Sequence, residues 1–269
     1  MGGGVAGASA MVIQVLTLMP LRTTMNYQYK FGTSMTESVV ILYKDGGPRR
    51  YYRGLAPALI QGPLSRFGDT ASNAGALALL DSNPSTVHLP IAVKTLLASS
   101  FSAVFRMFLT PVDTLKTTLQ TQGQSGTDIL RQRMRNHGVV TLWYGSIANA
   151  VATFVGHYPW FTTYNYLQAT IPRRDKMSER LMRNALIGFI SSVVSDTISN
   201  SIRVLKTYRQ THPERISYMQ SAKEIVARDG VVGWMTRGLK TRILTNGLQG
   251  IMFSVLWKLF EDMIFKKQR

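Results

Sequence analysis

The chain contains no cysteine, so it has no disulfide scaffold, thiolate metal site or cysteine nucleophile. It also lacks an unbroken apolar run of about 18 residues; with 45% hydrophobic and 17% charged residues, hydropathy alone does not separate membrane helices from soluble ones. Acidic residues are scarce, 14 against 31 Lys and Arg, and the formal charge of +17 calls for a negative partner: nucleic acid, anionic lipid or an anionic solute. The bases form no stripe interleaved with aromatics and accompany no helix-turn-helix or zinc pattern, so nucleic acid is not expected. No nucleophile elbow, metal-ligand cluster or glycine-rich phosphate loop occurs, and the glycines of residues 62–68 follow no strand. The chain is therefore not read as an enzyme, and no metal or organic cofactor is expected. Its first residues are small and uncharged, and show neither a presequence pattern nor the hydroxyl at position six of a myristoylation signal.

What the chain does have is internal repetition. The string Pro111, Val112, Asp113, Thr114, Leu115, Lys116, Thr117, Thr118, Leu119, Gln120 follows an apolar stretch at 98–109. Pro20 lies 91 residues earlier and Ser201 lies 90 residues later, each opening a degraded copy in register. A second landmark keeps step: Tyr52, Arg53, Gly54, then Trp143, Tyr144, Gly145, then Thr236, Arg237, Gly238. Each follows a glycine turn, at Asp45 and Gly46, His137 and Gly138, and Asp229 and Gly230.

These strings resemble the signature, acid-glycine and aromatic-basic-glycine motifs of the mitochondrial carrier family. The resemblance covers essentially the whole chain. It implies an all-α membrane protein of six transmembrane helices in three pseudo-threefold repeats, 1–90, 91–178 and 179–269, with short matrix-side surface helices. Helices are predicted over 4–27, 55–80, 89–120, 146–171, 181–210 and 239–265, each long enough to cross a hydrocarbon core. Pro20, Pro111 and Ser201 are expected to kink the three odd helices so that they converge. Bases between paired helices, among them Arg49, Arg50, Arg131, Arg133, Arg135, Arg215 and Arg228, point those segments to the matrix and both termini to the intermembrane space, although Arg173, Arg174 and Lys176 oppose the trend.

The resemblance also implies sites. Cardiolipin is the bound lipid expected at Gly54, Gly145 and Gly238, aided by Arg53 and Arg237; shaping the turns alone is the alternative for the glycines. The matrix gate comprises Pro20, Arg22, Pro111, Asp113, Lys116, Gln120, Arg203, Lys206 and Gln210. Here the chain departs from the family. The acid and base positions read Arg22 and Met25, Asp113 and Lys116, Arg203 and Lys206, so one carboxylate faces four bases. Asp113 is expected to pair with Lys206, Gln120 and Gln210 to brace the pairs, with Tyr29 in the first repeat, and Arg22 to repel Lys116. On the opposite side Ala74 and Leu77, Asn165 and Gln168, Lys258 and Glu261 leave only the third pair charged, in reversed order.

Gln61, Thr153, Thr245 and Asn246 occupy or neighbour the substrate positions. Arg106 and Asp196, each five residues before a kink position, are costly in lipid and are expected to line the cavity, gripping solute or pairing with each other. Arg66 and Asp69 are expected to satisfy one another. His157 is read as a packed histidine rather than a proton relay. The function implied is movement of a small anionic or zwitterionic metabolite by alternating access across the mitochondrial inner membrane. The alternative is a transport-impaired homologue serving as a structural subunit of a large inner-membrane complex, such as a respiratory complex or ATP synthase.

Overall fold

The structure, a computed structural model, describes residues 2–172 and 176–266. Its ten α-helices are α1 (Gly2–Phe31), α2 (Met35–Arg50), α3 (Leu55–Ser82), α4 (Ile91–Phe108), α5 (Thr110–Gln122), α6 (Gly126–His137), α7 (Ser146–Thr170), α8 (Met177–Thr211), α9 (Tyr218–Thr236) and α10 (Leu239–Lys266). No strand occurs among the described residues, so the all-α expectation holds. Arg173 and Arg174 lie outside the described residues, as do the side chains of Arg66, Ala74, Lys258 and Glu261.

The long rods close into a ring: α1 packs on α3, α3 on α4, α4 on α7, α7 on α8, α8 on α10 and α10 on α1. At one end α1, α5 and α8 also touch one another, the convergence the repeat predicts. The surface helices α2, α6 and α9 lie at that end. Ser34 opens α2 with a reciprocal capping box to Glu37, and Ser217 caps α9 by accepting from the Gln220 amide.

The kinks differ from expectation. Only the second repeat breaks: α4 and α5 meet at a bend of 62°. Pro111 opens α5, where its missing N–H and its ring deny α4 a continuation. Pro20 lies inside an unbroken α1, and Ser201 inside an unbroken α8, where no backbone donor is lost. By length and apolar character two helices, 139–170 and 178–211, are able to cross a membrane, and three if the bent pair counts as one span. The remaining rods carry buried polar side chains, among them Gln14, Thr23 and Asn26 of α1 and Thr241 and Thr245 of α10. Their apolar character is diluted for that reason.

Candidate functional site

Three equivalent seams fasten the convergent end. Gly54, Gly145 and Gly238 precede the even rods α3, α7 and α10, with φ of +83°, +89° and +62°. A Cβ on Gly54 would meet the Lys116 carbonyl at 2.9 Å, one on Gly145 the Gln210 Cγ at 2.7 Å, and one on Gly238 the Tyr29 ring at 2.8 Å. Glycine is thus required twice at each seam, by left-handed backbone and by contact. A buried arginine caps the C-terminal carbonyls of the neighbouring odd rod beside each glycine. Arg50 donates to the carbonyls of Gln120 at 2.9 Å and Thr121 at 3.0 Å, Arg133 to Gln210 at 2.6 Å, and Arg237 to Tyr29 at 3.2 Å. With 4%, 2% and 5% exposure these three do not present their charges to lipid.

The acid supporting each cap is uneven. Asp45 holds Arg50 at 2.5 Å, and Asp229 accepts from both Arg237 and Arg228. Burial pushes the Asp229 carboxyl up, but the hydrogen bonds from Arg237 and Arg228 outweigh it and hold it below the usual aspartate range. In the second repeat the equivalent residue is His137, and two Arg133 nitrogens, Nε and Nη2, have no partner. Arg133 instead stacks over the Tyr144 ring at 5.1 Å, which Arg209 and Arg215 also approach. Burial lowers the Arg133 guanidinium below its ordinary value. Arg53, the remaining lipid candidate, is exposed and bonds Gln124 at 3.0 Å.

About one turn deeper lie the gate residues. Asp113 is buried and takes Lys206 on one oxygen at 2.6 Å and Lys116 on the other at 3.0 Å. Gln210 braces this pair as expected, donating to Asp113 at 3.3 Å and Thr114 at 3.2 Å. Gln120 has no ion pair above it and instead accepts from Asn26 at 2.6 Å, while Tyr29 donates to Asn200 at 3.0 Å. The expected clash of Arg22 with Lys116 is relieved by glutamines: Arg22 donates to Gln249 at 3.0 Å and Lys116 to Gln61 at 2.9 Å.

Further inside, Arg106 and Asp196 do not pair with each other. Arg106 forms a two-pronged bridge to Asp69; the Arg66 side chain, expected to pair with Asp69, lies outside the described residues. Asp196 accepts from Arg242 at 2.6 Å and from Asn246. Asp69 sits where a neighbouring rod brings a guanidinium fork that binds both carboxylate oxygens, and Asp196 where α10 brings an arginine to one oxygen and an amide to the other. Thr153 and Thr245 are buried, each donating to the carbonyl four residues earlier, at 2.9 and 2.7 Å. His157 contacts Ser99 at 3.2 Å and meets Phe161 edge-on.

At the far end of the ring the fastenings are local. Lys94 bridges to Asp81 at 2.5 Å, and Arg183 caps the carbonyls of Gln168 and Ile171 that end α7. Sequence reading missed these, together with the capping roles of Arg50 and Arg133 and the entire part played by Arg242. The i, i+8 step from Asp229 to Arg237 was the one signal available for the caps.

The family model described as mitochondrial carrier protein matches residues 89–175 and 178–268. The chain is 33% identical over 176 residues to mitochondrial thiamine pyrophosphate carrier 1 of Kluyveromyces lactis, covering 59% of this chain and 53% of that protein. It is 26% identical over 174 residues to the protein of that name in Scheffersomyces stipitis, covering 60% and 57%. Against mitochondrial substrate carrier family protein E of Dictyostelium discoideum identity is 29% over 167 residues, covering 55% of each. The matched part of the chain thus spans just over half the length of these relatives.

Proposed function

Because the chain belongs to the mitochondrial carrier family, we propose that it moves a small, multiply charged anionic metabolite across the inner mitochondrial membrane by alternating access through its ring. The observation that carries this reading is the charge of the interior. Among the described side chains, the cations Arg22, Arg106, Lys116, Arg203, Lys206 and Arg242 meet the carboxylates Asp69, Asp113 and Asp196, a surplus of three positive charges. Inside a ring of helices such a surplus is poorly screened and favours a counter-anion. None of the six cations is sealed; all are half-buried. Several similar proteins are named as carriers of thiamine pyrophosphate, an anionic diphosphate ester, so a phosphorylated metabolite is the first cargo to test.

Alternation would require breaking Asp113 from Lys206 and Lys116, the sole ion-pair lock in the convergence, while the remaining contacts there are neutral hydrogen bonds or involve one charge. Purified protein in liposomes loaded with thiamine pyrophosphate should exchange external labelled thiamine pyrophosphate saturably and leave labelled thiamine outside. Exchange no faster than in empty liposomes would remove the reading. A structural subunit of an inner-membrane complex is the second reading, favoured by the loss of carboxylates from two of the three lock positions. It expects stable co-migration with a large complex on native gels after mild extraction. Cardiolipin remains a proposed lipid at the exposed Arg53 and the turns before the even rods.

A further inference from the structure

We propose that Arg203 is the residue that grips the cargo, binding a phosphoryl group in the fork of its guanidinium; this rests on the reading of the interior as an anion path. Arg203 stands where the third repeat is expected to carry the acid of its lock. It therefore brings a fork of donors to a lock position. Among the described side chains the interior carboxylates are already committed: both oxygens of Asp69 to Arg106, both of Asp113 to the two lysines, and both of Asp196 to Arg242 and Asn246. Arg203 has one hydrogen bond among the described residues, from Nε to Ser199 Oγ at 3.2 Å.

A guanidinium carries five N–H donors, so half-buried Arg203 keeps donors to offer an anion. The charges that act on it favour one, since Arg242 and Arg106 are both within electrostatic reach and the nearest carboxylate, Asp196, is shared. Its tip lies close against α7, where a side chain would crowd it. Gly156 of α7 faces it, and a Cβ there would lie 3.4 Å from Arg203 Nη2, 3.1 Å from Ser195 Oγ and 3.4 Å from Ser199 Oγ. Uncommitted donors and positive surroundings coincide at one place, and a phosphoryl group matches the planar fork in a way that a lysine would not.

Binding of inorganic pyrophosphate to the purified full-length protein in detergent, followed by isothermal titration calorimetry, tests the assignment. Wild type should bind, and Arg203→Gln should weaken binding by about tenfold or more, the loss typical of a charge-assisted pair. Arg203→Lys, which keeps the charge and loses the fork, should fall between. Arg131→Gln, an exposed base on α6, should bind like wild type. Should Arg203→Gln fail to fold, the comparison of wild type with Arg203→Lys decides, since equal affinity there removes the fork from the proposal. If wild type binds no pyrophosphate, the anion reading itself fails. If wild type binds and Arg203→Gln binds equally, or Arg131→Gln loses as much, the assignment to Arg203 is overturned while the anion reading stands.

Discussion

The seams between repeats and the convergence of the odd rods lie about one helical turn apart, yet they treat threefold symmetry in opposite ways. At the seams all three repeats use the same device, a left-handed glycine against a neighbouring rod and a buried arginine on that rod's terminal carbonyls. In the convergence each repeat is different: two lysines share one aspartate in one place, an asparagine and a glutamine bond in another, a tyrosine and an asparagine in the third. Packing contacts answer to shape, which every repeat must satisfy alike. Contacts with a cargo answer to one asymmetric molecule, and nothing obliges the repeats to agree about it.

The comparison breaks most severely at Asp113. Asp113→Asn removes the buried carboxylate from between two half-buried lysines and should cost about 3 kcal/mol, the lower end of the loss seen when one partner of a buried pair is removed. A large fall in thermal unfolding temperature in detergent would register it, and an unchanged temperature would mean that the lock does not hold the closed end. Next come the glycines. Gly145→Ala combines left-handed strain with a clash at 2.7 Å and should lose about 2 to 4 kcal/mol. Gly230→Ala, at φ +70° and ψ 175° in open space, meets backbone strain alone and should lose about 1 to 3 kcal/mol. Equal losses at the two sites would show that contact plays no part in the seam.

Smaller effects sharpen the contrast between supported and unsupported arginine caps. Asp229→Asn should cost about 1 kcal/mol through Arg237. Because the folded carboxyl sits below the usual aspartate value of about 4, its stabilisation is complete above that pH and is lost as pH falls through the lowered folded value. The acid side of the wild-type stability curve should therefore flatten in Asp229→Asn. Least of all, His137→Asp places a carboxylate four residues after Arg133 on α6 and should gain about 0.5 kcal/mol by giving the second repeat the acid it lacks. No gain would mean that the unpartnered Arg133 nitrogens are already satisfied by water.

The repeat spacing made the ring and its seams legible, because glycine and proline report backbone demands that are local. The break at Pro111 could be read, but the continuity of the rod through Pro20 could not. The Asp113 and Lys206 pair followed from the lock pattern. Arg106 and Asp196 were recognisable as costly charges, but their partners were not, since Asp69 and Arg242 come from other rods and only the crossing of α3 with α4 and of α8 with α10 brings them within reach. Arg242 carried no signal at all in the sequence, as one basic residue among 31.

The most direct measurement of the central claim, that the surplus positive interior selects the cargo by charge, is the rate of counter-exchange in proteoliposomes for solutes of similar size bearing zero, one, two and three negative charges. Exchange should rise with negative charge and weaken as salt is raised. Rates that ignore charge, or that favour the neutral solute, would contradict the claim.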